Sequence, residues 1–220
     1  MTGSGEVEKW TTEPPQIDVA RLLGVHKYKD MTKVRPVILK AAEKAASLSG
    51  DYSQPEAVFT TIGIRDIDED GVELENGSRL NCRAFSSKLE GCTALLVFVI
   101  TLGSPLDEAV SAGFADGAAP LGPLFLDTGG WLMIEAVTRE FSRYLKEERF
   151  GGSHSLSIRM APGYSYRVSS KEERVEWDLL EQQKLFGVFT SADLPVELLE
   201  SGAMIPRMSR SGIFGVRTKP

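Results

Sequence analysis

The residues best suited to chemistry lie in one short run, Arg159-Met160-Ala161-Pro162-Gly163-Tyr164, which follows a strand-like Ser155 to Ile158. Pro162 and Gly163 make a tight turn, and glycine leaves its backbone uncrowded. Such a turn can present peptide donors and acceptors to a planar, hydrogen-bonding ligand. Arg159 enters from the strand end with a planar fork suited to a carboxylate. Tyr164 adds an aromatic face and a hydroxyl. Together they would suit an amino acid joined to a purine, such as S-adenosylmethionine. The plainer alternative is a proline–glycine turn beside a salt-bridged arginine. Spacing alone leaves both open.

Other runs imitate catalytic or metal sites and break down on inspection. Asp66-Ile67-Asp68-Glu69-Asp70-Gly71 starts like an EF-hand loop, but the twelfth position, where a bidentate glutamate belongs, is Gly77. A hairpin also replaces the partner helices, so this reads as an acidic arm. Phe125-Leu126-Asp127-Thr128-Gly129 resembles the aspartic-protease triplet, with Ile213-Phe214-Gly215 as its later partner. That chemistry needs two aspartates sharing a proton and a sheet after the triplet, whereas Trp131 to Leu145 reads as helix. His26 and His154 are too isolated for a metal site. Nucleophile elbow, phosphate loop and full dinucleotide fingerprint are missing from the sequence. The sequence therefore offers no catalytic residue and no metal ligand set. Arg207, Arg210, Arg217 and Lys219 read as a charged, solvated tail, with an acidic partner as the alternative.

Several elements must position the arginine and its turn. Residues 1–15 read as a flexible arm ending in Pro14-Pro15, and 16–220 as a single domain. Asp18 is placed to cap a short helix through Leu23, and Val34 to Leu48 is a stronger helix with Pro36 in its first turn. Ala57 to Ile62 is β-branched, and Val72 to Cys82 alternates around Asn76-Gly77, which predicts a hairpin. Ala84 to Leu89 reads as one helical turn. Thr93 to Thr101 is almost wholly apolar, as a central strand covered on both faces would be. Pro105 opens another helix. Leu124 to Leu145 is the most hydrophobic helix, with Trp131, Ile134, Val137, Phe141 and Tyr144 at core spacing. Glu173 to Phe189 reads as a helix bearing Trp177, and Leu194 to Leu199 and Ser209 to Val216 as closing strands. The mixture predicts an α+β fold with a mainly antiparallel sheet and packed helices.

The 220 residues carry a net charge of −6, with pI ≈ 5.1, which argues against a nucleic-acid binder relying on bulk positive charge. Cys82 and Cys92 cannot build a disulfide framework or a four-cysteine zinc site; they fit a reducing compartment as buried thiols. The polar start shows no secretory signal, and the longest apolar run is about half of the ~20 residues a spanning helix needs. These features predict a cytoplasmic protein with no membrane partner.

In four stretches the sequence resembles the S-adenosylmethionine-binding activation (reactivation) domain of vitamin B12-dependent methionine synthase, in a stand-alone form. Ile100-Thr101-Leu102-Gly103 with Leu106 and Asp107 is similar to its strand and following turn. Leu126-Asp127-Thr128-Gly129-Gly130 with Glu135-Ala136 is similar to its central helix. Arg159 to Ser165 resembles its Arg-x-x-x-Gly-Tyr signature, and the stretches Glu181 to Phe186 and Leu198 to Gly212 its closing segment. The four span about residues 95 to 217. The resemblance implies that Arg159 contacts the methionine carboxylate and that backbone at Arg159, Ala161 and Gly163 holds the adenosine. Tyr164 would position the ligand near the corrinoid. Phe214 falls where the full-length enzyme has a tyrosine against the ligand. Two departures stand out. Ser153 replaces an acidic residue six places before the arginine, and Ser165-Tyr166-Arg167 replaces a Cys-Pro and histidine. The family's N-terminal aspartate has two candidates here, Asp18 and Asp30.

The same resemblance implies the role: a methyltransferase component in methionine biosynthesis that supports reductive methylation of inactive cobalamin. The cobalamin would sit on a partner methionine synthase or related corrinoid methyltransferase, because this chain has no Asp-x-His-x-x-Gly loop. A flavodoxin- or ferredoxin-like protein would donate the electron. Holding an activated sulfonium methyl in line requires no acid or base from this chain. The rival expectations are an S-adenosylmethionine-binding accessory subunit without catalysis and an interaction protein that kept only the fold.

Overall fold

The structure is a computed structural model describing residues 5–117, 120–168, 173–189 and 192–219. Among them the chain runs β1 (Glu8–Thr11), α1 (Val19–Val25), α2 (Pro36–Asp51), β2 (Glu56–Ile67), β3 (Gly71–Leu74), β4 (Arg79–Asn81), α3 (Phe85–Lys88) and β5 (Ala94–Thr101). It continues as α4 (Ser104–Ala115), α5 (Leu121–Tyr144), β6 (His154–Leu156), β7 (Ser165–Arg167), β8 (Arg174–Glu176), α6 (Glu181–Gly187), β9 (Glu197–Leu198), β10 (Met204–Ile205) and β11 (Ser209–Thr218). The main sheet is antiparallel, in the order β4-β3-β2-β5-β11-β6, with β1 added to the free edge of β2. This is the α+β architecture the residue patterns predict.

The apolar run at 94–101 becomes the central strand because both of its faces are covered. Leu96, Phe98 and Ile100 enter the core beneath α1, α2, α4 and α5, while Leu95, Val97 and Val99 pack with Phe85, Trp177 and Leu185 on the other face. Period-two alternation delivers one strand to two cores. Beneath α5, Phe141 meets Phe59 and Phe98 at centroid distances of 5.3 and 5.6 Å. Each such pair contributes about 0.5–1.5 kcal/mol beyond simple burial. Asp18 caps α1 as its position predicts, accepting from the Ala20 amide at 2.9 Å. Both cysteines are buried free thiols.

Three expectations are corrected. Residues 8–11, read as part of an arm, pair with 56–59, and Arg149 Nε reaches Glu8 Oε2 at 2.8 Å, tying β1 to the turn beyond α5. The long helix expected over 173–189 is instead β8, a buried Trp177 and the short α6. Trp177 continues the β7–β8 pairing, with its amide donating to Tyr164 O at 2.9 Å and its carbonyl accepting from Gly163 N at 2.6 Å. Those long-range bonds outcompete local helical spacing, and Asp178 restarts the helix by accepting from the Leu180 amide. Of the strand expected over 194–199, only Glu197–Leu198 pairs, with β10.

Candidate functional site

The segment after β6 is held against β11 by reciprocal backbone bonds. Met160 N donates to Ile213 O at 3.0 Å, and Ile213 N donates to Met160 O at 2.7 Å. The approach is so close that a Cβ on Gly212 would sit 2.5 Å from Met160 O, inside any real contact. Gly212 is therefore a requirement of the site, since it lets the Arg159–Ala161 backbone lie on the sheet. The chain then turns at Pro162 and at Gly163, whose φ of 80° is costly for other residues.

Next to this turn lies an open cleft of about 380 Å³, within the range of small-molecule sites. Trp131 and Ile134 of α5 form one wall; Arg159, Ala161, Pro162 and Tyr164 form another; Leu179, Met204 and Met208 add apolar surface. Trp131, expected in the core, is 49% exposed here, and Tyr164 is 53% exposed. The cleft thus presents aromatic surface from two separate elements.

Three guanidiniums line the same space, and they differ in their partners. Arg210 Nη1 lies 2.6 Å from Glu135 Oε2 on α5. Arg207 Nη2 lies 2.9 Å from Asp127 Oδ1 and 3.8 Å from Asp107 Oδ1. Arg159, half-buried, has no hydrogen bond or ion pair from its side chain among the described residues. Burial, and after it the like charge of Arg210, lowers its pKa, with Glu135, Tyr164 and Tyr166 opposing. A guanidinium does not escape such a cost by losing its proton, so an anion entering the cleft would be strongly favoured there. Glu135 shows the converse. Burial raises its pKa, but bonding to Arg210 and the charges of Arg210, Arg159 and Arg139 outweigh it and hold the carboxyl below its usual range.

The alternative of a salt-bridged arginine is thus not what the described residues show. Arg159, Ala161 and Tyr164 line the cleft, and Gly163 shapes the turn behind it. The backbone groups expected to hold a ligand are partly engaged. Gly163 N donates to Trp177 O, and the Ala161 amide and carbonyl both meet the Tyr166 hydroxyl. Phe214 is not in the cleft. It is 3% exposed and stacks on Phe98 at 5.4 Å, because it lies further along β11 on the face that packs under α5. Ser153 is bonded to Phe150 O and to the His154 ring, away from the cleft lining. Asp18 caps α1, and Asp30 accepts from the amide and hydroxyl of Thr32, so neither lies at the cleft.

The imitations of other sites resolve structurally. Asp68 closes the β2–β3 turn by accepting from the Asp70 and Gly71 amides and pairs with Arg79. Asp127 stands on α5 and holds Arg207. Sequence reading missed Arg207 and Arg210 as cleft residues, taking them for tail charges, and gave Glu135 no role. Their signal is three-dimensional: β11 and the residues just before it meet α4 and α5, which brings opposite charges together from distant positions.

No protein-family model matches this chain. No curated protein matches it in sequence. Solved structures do match, 13 chains in all. One is the crystal structure of the MetH reactivation domain bound to AdoHcy, with a TM-score of 0.68 over 98% of this chain and 79% of that one, at 15% identity. At that identity the likeness establishes the fold: this chain has the fold of the MetH reactivation domain. Among the described residues, no helix is long and apolar enough to cross a membrane.

Proposed function

We propose that the cleft binds S-adenosylmethionine and that the chain acts as a reactivation module for a corrinoid carried by a partner protein. The observation that carries this reading is Arg159, a half-buried cation with no carboxylate of its own among the described residues, set beside the exposed faces of Trp131 and Tyr164. Its planar fork would take the ligand's carboxylate in bidentate fashion. Glu135, paired with the cleft residue Arg210, would share an oxygen with the α-ammonium. Trp131 and Tyr164 offer their faces to the adenine and to the sulfonium. Ligation of a MetH reactivation domain by AdoHcy supports an adenosyl ligand for this shared fold.

The residues of the chain would then fix the methyl group's position and limit water around it, which is catalysis by positioning. The corrinoid would supply the nucleophile that accepts the methyl, and a flavodoxin- or ferredoxin-like protein the electron. The surface around the cleft suits such docking. Ile158, Tyr164, Leu180 and Ile205, each adjacent in sequence to a cleft residue or lining the cleft itself, are 47–56% exposed. Exposed apolar side chains grouped around an opening would mark an interaction surface.

The test is methylation of chemically reduced free cobalamin by S-adenosylmethionine, followed spectroscopically. The reading expects acceleration by the protein and its loss in Arg159→Ala. Tight ligand binding without acceleration would favour the accessory-subunit reading. Failure to bind the ligand would leave an interaction protein.

A further inference from the structure

Tyr166, on β7, meets Ala161 twice. Its hydroxyl accepts from the Ala161 amide at 2.7 Å and donates to the Ala161 carbonyl at 3.1 Å. A phenol can donate and accept at once, so one side chain takes up both polar groups of a residue that lines the cleft. An aminopurine edge carries the same complementary pair, an exocyclic N–H donor beside a ring-nitrogen acceptor. Resting on the reading of the cleft as an adenosyl site, we infer that Tyr166 is an internal competitor for the purine edge, a latch that the ligand must displace to bind.

The part that must yield is the hydroxyl end, because the ring packs against the buried cluster that contains Trp177. Tyr166 is half-buried on a three-residue strand whose partner is the equally short β8, in a two-stranded sheet separate from the main one. Burial raises its pKa, so the phenol keeps the proton it donates to Ala161 O near neutral pH. The release costs one donated and one accepted hydrogen bond, and the purine edge restores both. Affinity is then set partly by how firmly the latch holds, and a ligand without such an edge gains nothing from its opening.

The test is isothermal titration of wild type and Tyr166→Phe with S-adenosylhomocysteine and with adenosine. Phenylalanine keeps the ring and removes the competing hydroxyl. The expected result is binding about tenfold tighter in the variant for both probes, the scale of one net hydrogen bond. Equal or weaker binding by a folded variant overturns the latch while leaving the adenosyl reading intact, provided wild type binds S-adenosylhomocysteine. Binding by the variant alone supports a strongly closed latch. Binding by neither overturns both. A second measurement needs no variant: nitration of Tyr166 in wild type, read by mass spectrometry, should rise at saturating S-adenosylhomocysteine. Unchanged or reduced nitration contradicts displacement.

Discussion

Glu135 of α5 and Arg210 of β11 meet at 2.6 Å, 75 residues apart in sequence, at the edge of the cleft where Arg159 stands unpaired among the described residues. That pairing fastens α5 to the strand on which the Arg159 segment rests. It also decides which guanidinium is available to a ligand: Arg210 is neutralised by the protein, and Arg159 is not.

Glu135→Gln should therefore loosen the fold and the site together. Two guanidiniums would face each other without the carboxylate between them. Removing one partner of a partly buried pair is expected to cost about 1–3 kcal/mol, read as a lower urea midpoint. S-adenosylhomocysteine affinity should fall as well. An unchanged midpoint would mean that solvent already screens the pair.

Gly212→Ala tests the close approach of Met160. The added methyl would meet Met160 O at 2.5 Å and force the Arg159 segment off the sheet. A loss of about 1–3 kcal/mol is expected, with ligand affinity falling further than stability alone explains. Gly24→Ala is the control, because its new Cβ meets nothing within 4 Å inside α1. That change should be neutral or stabilising by up to about 1 kcal/mol.

Trp131 separates binding from folding. Being 49% exposed, it contributes little to the core, so Trp131→Ala should leave thermal unfolding nearly unchanged. Ligand affinity should drop by about tenfold, the value of one stacked aromatic face. In wild type the ligand should alter tryptophan fluorescence, and the variant should lose most of that signal. Trp10 and Trp177 do not line the cleft, so their contribution to that signal should be small.

The acidic hairpin has its own pH signature. Asp68 has its pKa lowered to about 2 by the Arg79 hydrogen bond and by the Asp70 amide, with a further contribution from Gly71. A depressed carboxylate contributes stability that is fully present above its unfolded value of 3.8 and is lost as pH falls toward about 2. Wild type should thus exceed Asp68→Asn in stability by a constant margin at neutral pH, and the two unfolding curves should converge between about pH 4 and pH 2. A margin that persists at the acid end would show that the charge is not its source.

Much of the architecture was legible because it rests on local pattern. The almost wholly apolar run at 94–101 suggested a strand covered on both sides, and Asp18 sat where a helix cap belongs. The Arg159 turn was legible for the same reason, since its residue types sit side by side. What escaped depends on distant pairing. Trp177 lies at helical spacing from Leu180, yet its backbone bonds to Gly163 and Tyr164 decide its conformation. The resemblance put Phe214 at a ligand-facing position, but the face of β11 that carries it packs under α5. Trp131 fits the apolar stripe of its helix, and only the position of the cleft shows that its ring is half in solvent.

The most direct measurement is isothermal titration of S-adenosylmethionine into wild type and Arg159→Ala. Wild type should bind in the micromolar range. The variant should unfold at the same temperature and bind at least tenfold more weakly, a loss of about 1.4 kcal/mol or more. No heat and no thermal stabilisation of wild type by the ligand, or equal affinity in the variant, would contradict the assignment of Arg159 as the carboxylate-binding residue of an adenosyl site.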